Sequence, residues 1–337
     1  MYKIVLDGQE ESFSSTSEDS VLRAGLRAGL GLPYECSTGS CGTCKFDLLD
    51  GETENLWPDA PGLSERDLRK DRRLACQNRP LSDCRIKVRI DPAATPKILP
   101  RRQQVRLVES RELTHDMVEF RFKAESKAEF LPGQYALFTL PGVTGLRAYS
   151  MANLSNDTGI WDFHIKNMPG GAGSHVLFDG VVEPGQMVEM DGPYGLAFLR
   201  ESPRDIVCIA GGSGLSPMIS IARGFAEDEY FSDRRLHFFF GGREPRDICG
   251  EKILRDLPAF ADRMSYHAAI SEPSVSAEVW SGPRGFVHEL AAQSLEGELA
   301  DYEFYFAGPP VMAEAVQRML MREHKVPFAQ LHFDRFF

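Results

Sequence analysis

The sequence predicts a multidomain chain of α+β and α/β class. A small α+β unit fills 1–92, a linker 93–100, an antiparallel β-barrel 101–202 and a parallel α/β domain 203–337. Three observations carry this division. Asp91–Pro100 breaks all periodicity with Pro92, Pro96 and Pro100, and proline sustains neither a helix interior nor a central strand. From there to Pro203 the apolar residues repeat every two positions between Gly/Pro turns, as short antiparallel strands do. Beyond Pro203, apolar strands alternate with helical stretches and end in glycine-rich turns, the pattern of a parallel sheet. At 337 residues there is chain enough for several cores.

In the first unit Ile4-Val5-Leu6 and Phe13 make a hairpin pair about Asp7-Gly8. Ser20 caps a helix over Val21–Leu30, which Gly29 or Gly31 ends. Pro33 to Cys44 follows, with cysteines spaced C-x4-C-x2-C (Cys36, Cys41, Cys44) and a fourth, Cys76, further on in Leu74-Ala75-Cys76-Gln77. That is the plant-type spacing of four thiolates around a [2Fe–2S] cluster. Ser37, Gly39, Ser40, Gly42 and Thr43 between them are small, so backbone N–H groups can turn inward toward sulfur. A structural zinc site would show two C-x2-C knuckles, and a disulfide framework suits a small secreted domain; neither matches. Lys45–Leu49 is a strand stopped by Asp50-Gly51, and Arg85–Ile90 closes the unit. The charged run Ser64–Arg73 is a solvated helix face, with a docking patch for an electron acceptor as the sharper alternative. Cys84, Cys208 and Cys249 are expected as reduced, packed thiols.

The barrel strands are expected at Val118–Lys123, Tyr135–Leu140 and Asp162–Lys166. Arg147-Ala148-Tyr149-Ser150, an R-x-Y-S after a strand, precedes Gly171-Ala172-Gly173-Ser174, a G-x-x-S at the start of a helix from His175 to Asp179. Glycines before a helix N-terminus form an anion site, an arginine adds a bidentate phosphate contact, and the tyrosine and serine cover a flat ring. Either string alone is a common turn serine or surface arginine; in order, within an all-β segment, they point to a flavin pocket.

In the last domain Ile206–Ala210 leads into Gly211-Gly212-Ser213-Gly214, then through Pro217 to an amphipathic stretch from Met218 to Phe225. A parallel α/β domain places a pyrophosphate at such a turn, although a tight strand–helix turn without a ligand has the same look. Leu236–Phe240 and Phe304–Phe306 are further strands, the latter followed by Ala307-Gly308-Pro309-Pro310 on the sheet's carboxyl edge.

Bulk composition excludes other classes. The net charge of −11 and the lack of a basic stripe argue against nucleic acid. No apolar run suits a membrane span, and Met1–Leu6 reads as a strand rather than a signal peptide, so a cytoplasmic protein is expected, a monomer by default.

The ordered set C-x4-C-x2-C…C, R-x-Y-S, G-x-x-S, G-G-x-G-x-x-P and G-P-P resembles the ferredoxin–NADP reductase superfamily with a fused N-terminal plant-type ferredoxin. It is similar in particular to the NADH-dependent reductase components of aromatic-hydrocarbon oxygenases, toluene monooxygenase reductases above all. They share strings such as Asn55–Leu63 and His332–Phe337. The resemblance implies a β-grasp [2Fe–2S] domain, an FAD barrel and an NAD(P)H domain. Cys36, Cys41, Cys44 and Cys76 would hold the cluster. Arg147, Gly171, Gly173 and Ser174 would hold the FAD pyrophosphate, Tyr149 would pack on the isoalloxazine, and Ser150 would bond near N5. His164, Ile165 and Lys166 would pass the adenosine half. Gly211, Gly212, Ser213, Gly214, Pro217, Arg243, Gly308 and Pro309 would take the nicotinamide dinucleotide. Asp334 and Phe336 would sit by the flavin as catalytic residues with Ser150, Phe337 being the substitute for Phe336.

The implied activity is oxidation of NADH, with NADPH tolerated, and release of single electrons. The acceptor would be a ferredoxin, Rieske type included, or an oxygenase component. A cytochrome or dehydratase as acceptor, or a non-catalytic iron–sulfur carrier or sensor, stays open. The family has cysteine where this chain has Ala307. Hydride passes directly between cofactors and needs no protein donor, so the change tunes nicotinamide placement. Arg243-Glu244-Pro245-Arg246 offers both charge signs to the nucleotide ribose.

Overall fold

A computed structural model describes residues 1–272 and 279–337. In the first unit a five-stranded sheet runs Ser12–Ser15, Tyr2–Leu6, Cys84–Lys87, Lys45–Asp50, Arg72–Leu74. The first and last of these in sequence pair in parallel at its centre, and the sheet covers one helix, Val21–Arg27. The Ser20 side chain caps it by accepting from the Arg23 N–H, and Val21, Leu22, Ala24 and Leu26 point into the core. The helix stops three residues short of the expected Leu30 because Gly29 turns left-handed at φ +80°. The closing strand is shorter than expected too, since pairing ends at Lys87. Within the charged run, Ser64 and Asp67 form a capping box that starts the helix Glu65–Arg69. The proline segment forms one turn, Pro92–Ala94, packed on this unit: the Asp91 N–H donates to the Gly31 carbonyl at 2.8 Å, and Ala94 is buried.

The second unit is a six-stranded antiparallel sheet ordered Arg147–Ser150, Tyr135–Thr139, Met187–Tyr194, Arg101–Glu112, Met117–Lys123, Ile160–Lys166. A bridge between Met151 and Phe163 joins its two edges and closes the barrel. Two long strands escaped the sequence reading. Arg101–Glu112 buries only Val105 and Leu107, so alternation is nearly invisible in it. Met187–Tyr194 ends in Gly192-Pro193, which looks like a turn. Arg147–Ser150 follows the strand Tyr135–Thr139, as expected, and is itself a strand paired with it.

The third unit is a five-stranded parallel sheet ordered Met264–Ile270, Leu236–Gly242, Asp205–Gly211, Tyr302–Gly308, Leu331–Arg335. Its strand order reverses between Asp205–Gly211 and Tyr302–Gly308, so the crevice for a ligand opens beyond Gly211 and Gly308. The helix Leu215–Glu227 packs on this sheet and joins it to the barrel. From it Ser216 Oγ donates to the Ser150 carbonyl (2.6 Å), Ser220 Oγ to the Asn153 carbonyl (2.7 Å) and Arg223 Nη1 to the Ala152 carbonyl (2.8 Å). Among the described residues no helix is long and apolar enough to cross a membrane.

Candidate functional site

The four cysteines gather in two pairs. Cys36 and Cys41 come from one loop; Cys44 meets Cys76, which sits in the turn after Arg72–Leu74. In each pair one thiol accepts the other's S–H and ionises first. That bond, against burial, brings Cys36 down to about 5 and lowers Cys44 as well. Backbone N–H groups aim inward, Cys41 to Cys36 Sγ at 3.3 Å and Thr43 to Cys41 Sγ at 3.5 Å. No three of these thiols lie within 4.8 Å of one another. Ligands of one zinc ion, each about 2.3 Å from it, could not be that far apart. Two thiolates at each of two irons fit the arrangement, which agrees with a binuclear cluster.

The two strings assigned to the flavin do come together. The helix runs Ala172–Phe178, three residues ahead of the expected start, which places Gly173 within it. A Cβ on Gly173 would lie 2.7 Å from Arg147 Cγ and 2.9 Å from Tyr149 Oη, so the two segments touch. Arg147 donates only to the carbonyls of Thr144 (3.1 Å) and Leu146 (3.2 Å). Among the described residues no carboxylate lies in ion-pair range of it, leaving a cation suited to phosphate. Ser174 uses its hydroxyl within the turn, accepting the Met168 N–H at 3.1 Å and donating to the Gly171 carbonyl at 3.0 Å. Burial pushes the Tyr149 hydroxyl up to about 12, so it stays protonated. His164 differs from the expectation. Its imidazole is fully buried against Glu119 at 3.0 Å, and its backbone N–H donates to Ser216 Oγ at 3.1 Å. Ile165 is buried, and Lys166 pairs with Asp116 at 2.9 Å.

At the nucleotide turn most glycines are required by close packing. A Cβ on Gly214 would overlap the Ala307 carbonyl, and one on Gly211 would lie 2.5 Å from Met312 Sδ. Gly308 packs on Gly211, 2.9 Å from its oxygen on the same measure. Gly212 turns left-handed (φ +56°), and a Cβ there would have only the Lys166 stem, at 3.7 Å, within 4 Å. Pro217 sits in the first turn of the helix Leu215–Glu227. Glu244 is paired with Arg246 at 3.0 Å, whereas exposed Arg243 has no carboxylate in range among the described residues.

Asp334 lies on the last strand opposite Ala307. Burial, then Glu35 and Cys36, push its carboxyl up to about 8, and its Oδ2 is buried without a partner. Phe336 is half-buried, and its N–H donates to the Gly308 carbonyl at 2.9 Å. Phe337 is exposed, with the Arg335 guanidinium 5.6 Å from its ring centroid.

Sequence reasoning missed the residues that fasten the thiol loop to the other units. Tyr135 Oη donates to the Glu35 carbonyl at 2.6 Å and shares a 2.8 Å bond with Ser37 Oγ. Arg335 clasps the Glu35 carboxylate through Nε (2.8 Å) and Nη2 (2.6 Å). Tyr34 Oη accepts the Gly195 N–H at 3.0 Å. Arg27 joins Asp19 (3.0 Å) to Asp191 (2.6 Å). Tyr135 reads simply as a strand core residue, and nothing local marks partners 300 positions apart.

Three family models match: a 2Fe-2S iron-sulfur cluster binding domain over 4–81, an oxidoreductase FAD-binding domain over 104–198 and an oxidoreductase NAD-binding domain over 208–318. The ferredoxin–NAD(P)(+) reductase CarAd of Metapseudomonas resinovorans is 42% identical over 342 residues, covering 100% of each chain. The ferredoxin–NAD(+) reductase component of the alkene monooxygenase system of Xanthobacter autotrophicus is 39% identical, covering 96% of this chain and 98% of its own. Among solved structures, the ferredoxin reductase in carbazole 1,9a-dioxygenase superposes with a TM-score of 0.89 at 40% identity, covering 100% of this chain and 98% of its own.

Proposed function

Because the chain belongs to the ferredoxin–NAD(P)(+) reductases of oxygenase systems, we propose that it oxidises NADH at the sheet edge beyond Gly211 and Gly308. It then releases electrons singly from its thiolate cage to a ferredoxin, Rieske type included, or to an oxygenase component. One observation carries the reading. The residue beside Cys36, Glu35, is bonded both to Tyr135, whose strand pairs with Ser150, and to Arg335, whose strand pairs with Gly308. The cage thus abuts the flavin strings and the nucleotide edge at once.

When bound, NADH supplies a hydride, FAD converts the pair of electrons into single ones, and the [2Fe–2S] cluster carries them. The chain's residues do the rest. Cys36 and Cys41 hold one iron, Cys44 and Cys76 the other. Arg147 meets the FAD pyrophosphate, and Tyr149 and Ser150 line the ring. Gly212 lets the dinucleotide approach, with unpaired Arg243 at the ribose end tolerating a 2′-phosphate. Asp334 keeps its proton at neutral pH, so a neutral acid stands beside the thiolates instead of another anion.

The acceptor would dock on the loop's open side. There Trp57, 40% exposed, leans on Gly39, and in the following segment Ser64–Arg73 five basic residues (Arg66, Arg69, Lys70, Arg72, Arg73) outnumber three acidic ones. The local excess of positive charge suits an acidic iron–sulfur protein. A cytoplasmic location is part of the same reading, with a monomer as the default state, and sedimentation of the purified protein checks its size.

The test is anaerobic NADH-driven reduction of purified acidic ferredoxins and oxygenase components, with ferricyanide as a control that needs no docking. Fast ferredoxin reduction is expected. Fast cytochrome reduction with no ferredoxin or oxygenase reduced would overturn the acceptor assignment.

A further inference from the structure

Ser37, the residue after Cys36, is buried and holds a left-handed backbone conformation at φ +56°. An L-residue with a Cβ adopts this at a cost and keeps it only where its surroundings enforce it. Among the described residues the protein partner of its hydroxyl is a barrel side chain. Tyr135, on the strand Tyr135–Thr139, is buried and reaches across the boundary between units. Its hydroxyl carries one proton, and at 2.6 Å that proton goes to the Glu35 carbonyl. The 2.8 Å bond to Ser37 is then one in which the serine hydroxyl donates to the tyrosine oxygen. Both neighbours of Cys36 are thereby pinned by one side chain from another domain. The ring cannot drift, because it packs on Tyr194 with centroids 6.1 Å apart, and Tyr194 Oη in turn donates to Asp191 at 3.0 Å.

We propose that Tyr135 is a positioning residue for the iron–sulfur cluster, holding Ser37 in its strained conformation so that the Cys36 thiolate and the Cys41 N–H keep their aim. The inference rests on the reading that Cys36 ligates the cluster. It adds that the cage is completed by the flavin barrel rather than by the ferredoxin unit alone. It also makes Tyr135 a shared support, since the same residue pairs with Ser150 on the flavin side. A change at this hydroxyl therefore reaches the cluster without touching a ligand.

The test uses the full holoprotein and two substitutions. Tyr135→Phe keeps the ring and removes only the hydroxyl, so packing survives. Iron release to a strong chelator is expected to quicken at least about fivefold, the low end of what two lost buried hydrogen bonds allow. The electron paramagnetic resonance g-values of the reduced cluster should shift, while anaerobic bleaching of the flavin by NADH keeps its rate. Ser37→Gly added to Tyr135→Phe should return iron release toward the original rate, because glycine takes positive φ without help. If Tyr135→Phe leaves both iron release and g-values unchanged, or Ser37→Gly fails to rescue, the proposal is overturned. An unsubstituted protein that binds no cluster would instead overturn the reading beneath it.

Discussion

Cys76 is remote from the other three thiols in sequence and beside Cys44 in space, which lets the cage be opened at one corner. Cys76→Ser is expected to lose the cluster and to depress ferredoxin reduction roughly 100-fold or more, outer-sphere changes alone costing 10- to 100-fold. NADH-to-ferricyanide turnover, which needs only the flavin, should persist; its collapse would mean that the serine had unfolded more than the cage. Gly214 probes the nucleotide edge in the same way. Its Cβ would meet the Ala307 carbonyl, a backbone atom that cannot swing aside. Gly214→Ala is therefore expected to cost about 1–3 kcal/mol, visible as a lowered Tm, and to weaken NADH binding. The cysteine spacing picks out four thiols that the fold does bring together, Cys36 with Cys41 and Cys44 with Cys76. The Gly-Gly-Ser-Gly string names its turn but misstates why its three glycines are there: Gly214 is demanded by the Ala307 backbone, Gly211 is crowded by the Met312 side chain, and only Gly212 is open to a ligand.

At the scale of single elements, the barrel strands Met117–Lys123 and Ile160–Lys166 place His164 directly opposite Glu119. Burial lowers the imidazole's pKa below its usual 6.5, although the Glu119 carboxylate pulls the other way. Burial raises Glu119, but its bond from His164 and the charges of His164 and Arg111 prevail and bring it down to about 2. Both shifts have the same sign for stability. Below pH 6.5 the unfolded chain binds a proton on His164 that the folded one refuses, and Glu119's contribution, full above its usual 4.5, fades as pH falls toward 2. Stability should drop as pH falls below 6.5, His164 contributing at most about 1.4 kcal/mol per pH unit and only down to its lowered folded pKa. Denaturant midpoints at pH 7.5 and 5 check this, and a slope unchanged in His164→Asn would contradict it. The helix Glu65–Arg69 and Trp57 make a second element-scale case. Arg66→Glu with Lys70→Glu is expected to raise KM for an acidic ferredoxin about tenfold, most strongly at low salt, and to leave ferricyanide turnover alone. Elements with clean apolar alternation were legible in advance, as were turns marked by Gly and Pro. Arg101–Glu112 was not, because a strand exposed for most of its length carries almost no hydrophobic signal.

For the whole molecule, the three units act as one because charged side chains bind them across their boundaries. Arg27 is the hub: it bonds Asp19 in its own unit, the Pro100 carbonyl in the linker and Asp191 in the barrel, whose side chain is only 3% exposed. Arg27→Ala would leave that carboxylate buried and without the arginine, weakening the join by about 3–5 kcal/mol. Faster proteolytic cutting within 93–100 is expected, together with slower cluster reduction at an unchanged rate of flavin reduction. The sequence delivered the order of the units and their chemistry, since each carries its own motif. It gave no hint of how they meet, because the pairs Arg27–Asp191 and Glu35–Arg335 join residues that no local pattern relates. Electrons must cross those joins to pass from the flavin to the cluster. Stopped-flow absorbance with freeze-quench paramagnetic resonance, after one anaerobic mixing with NADH, measures this directly. Flavin bleaching followed by a rhombic reduced-cluster signal in the same molecules is the predicted sequence. A bleached flavin beside a cluster that stays oxidised until dithionite is added would contradict it.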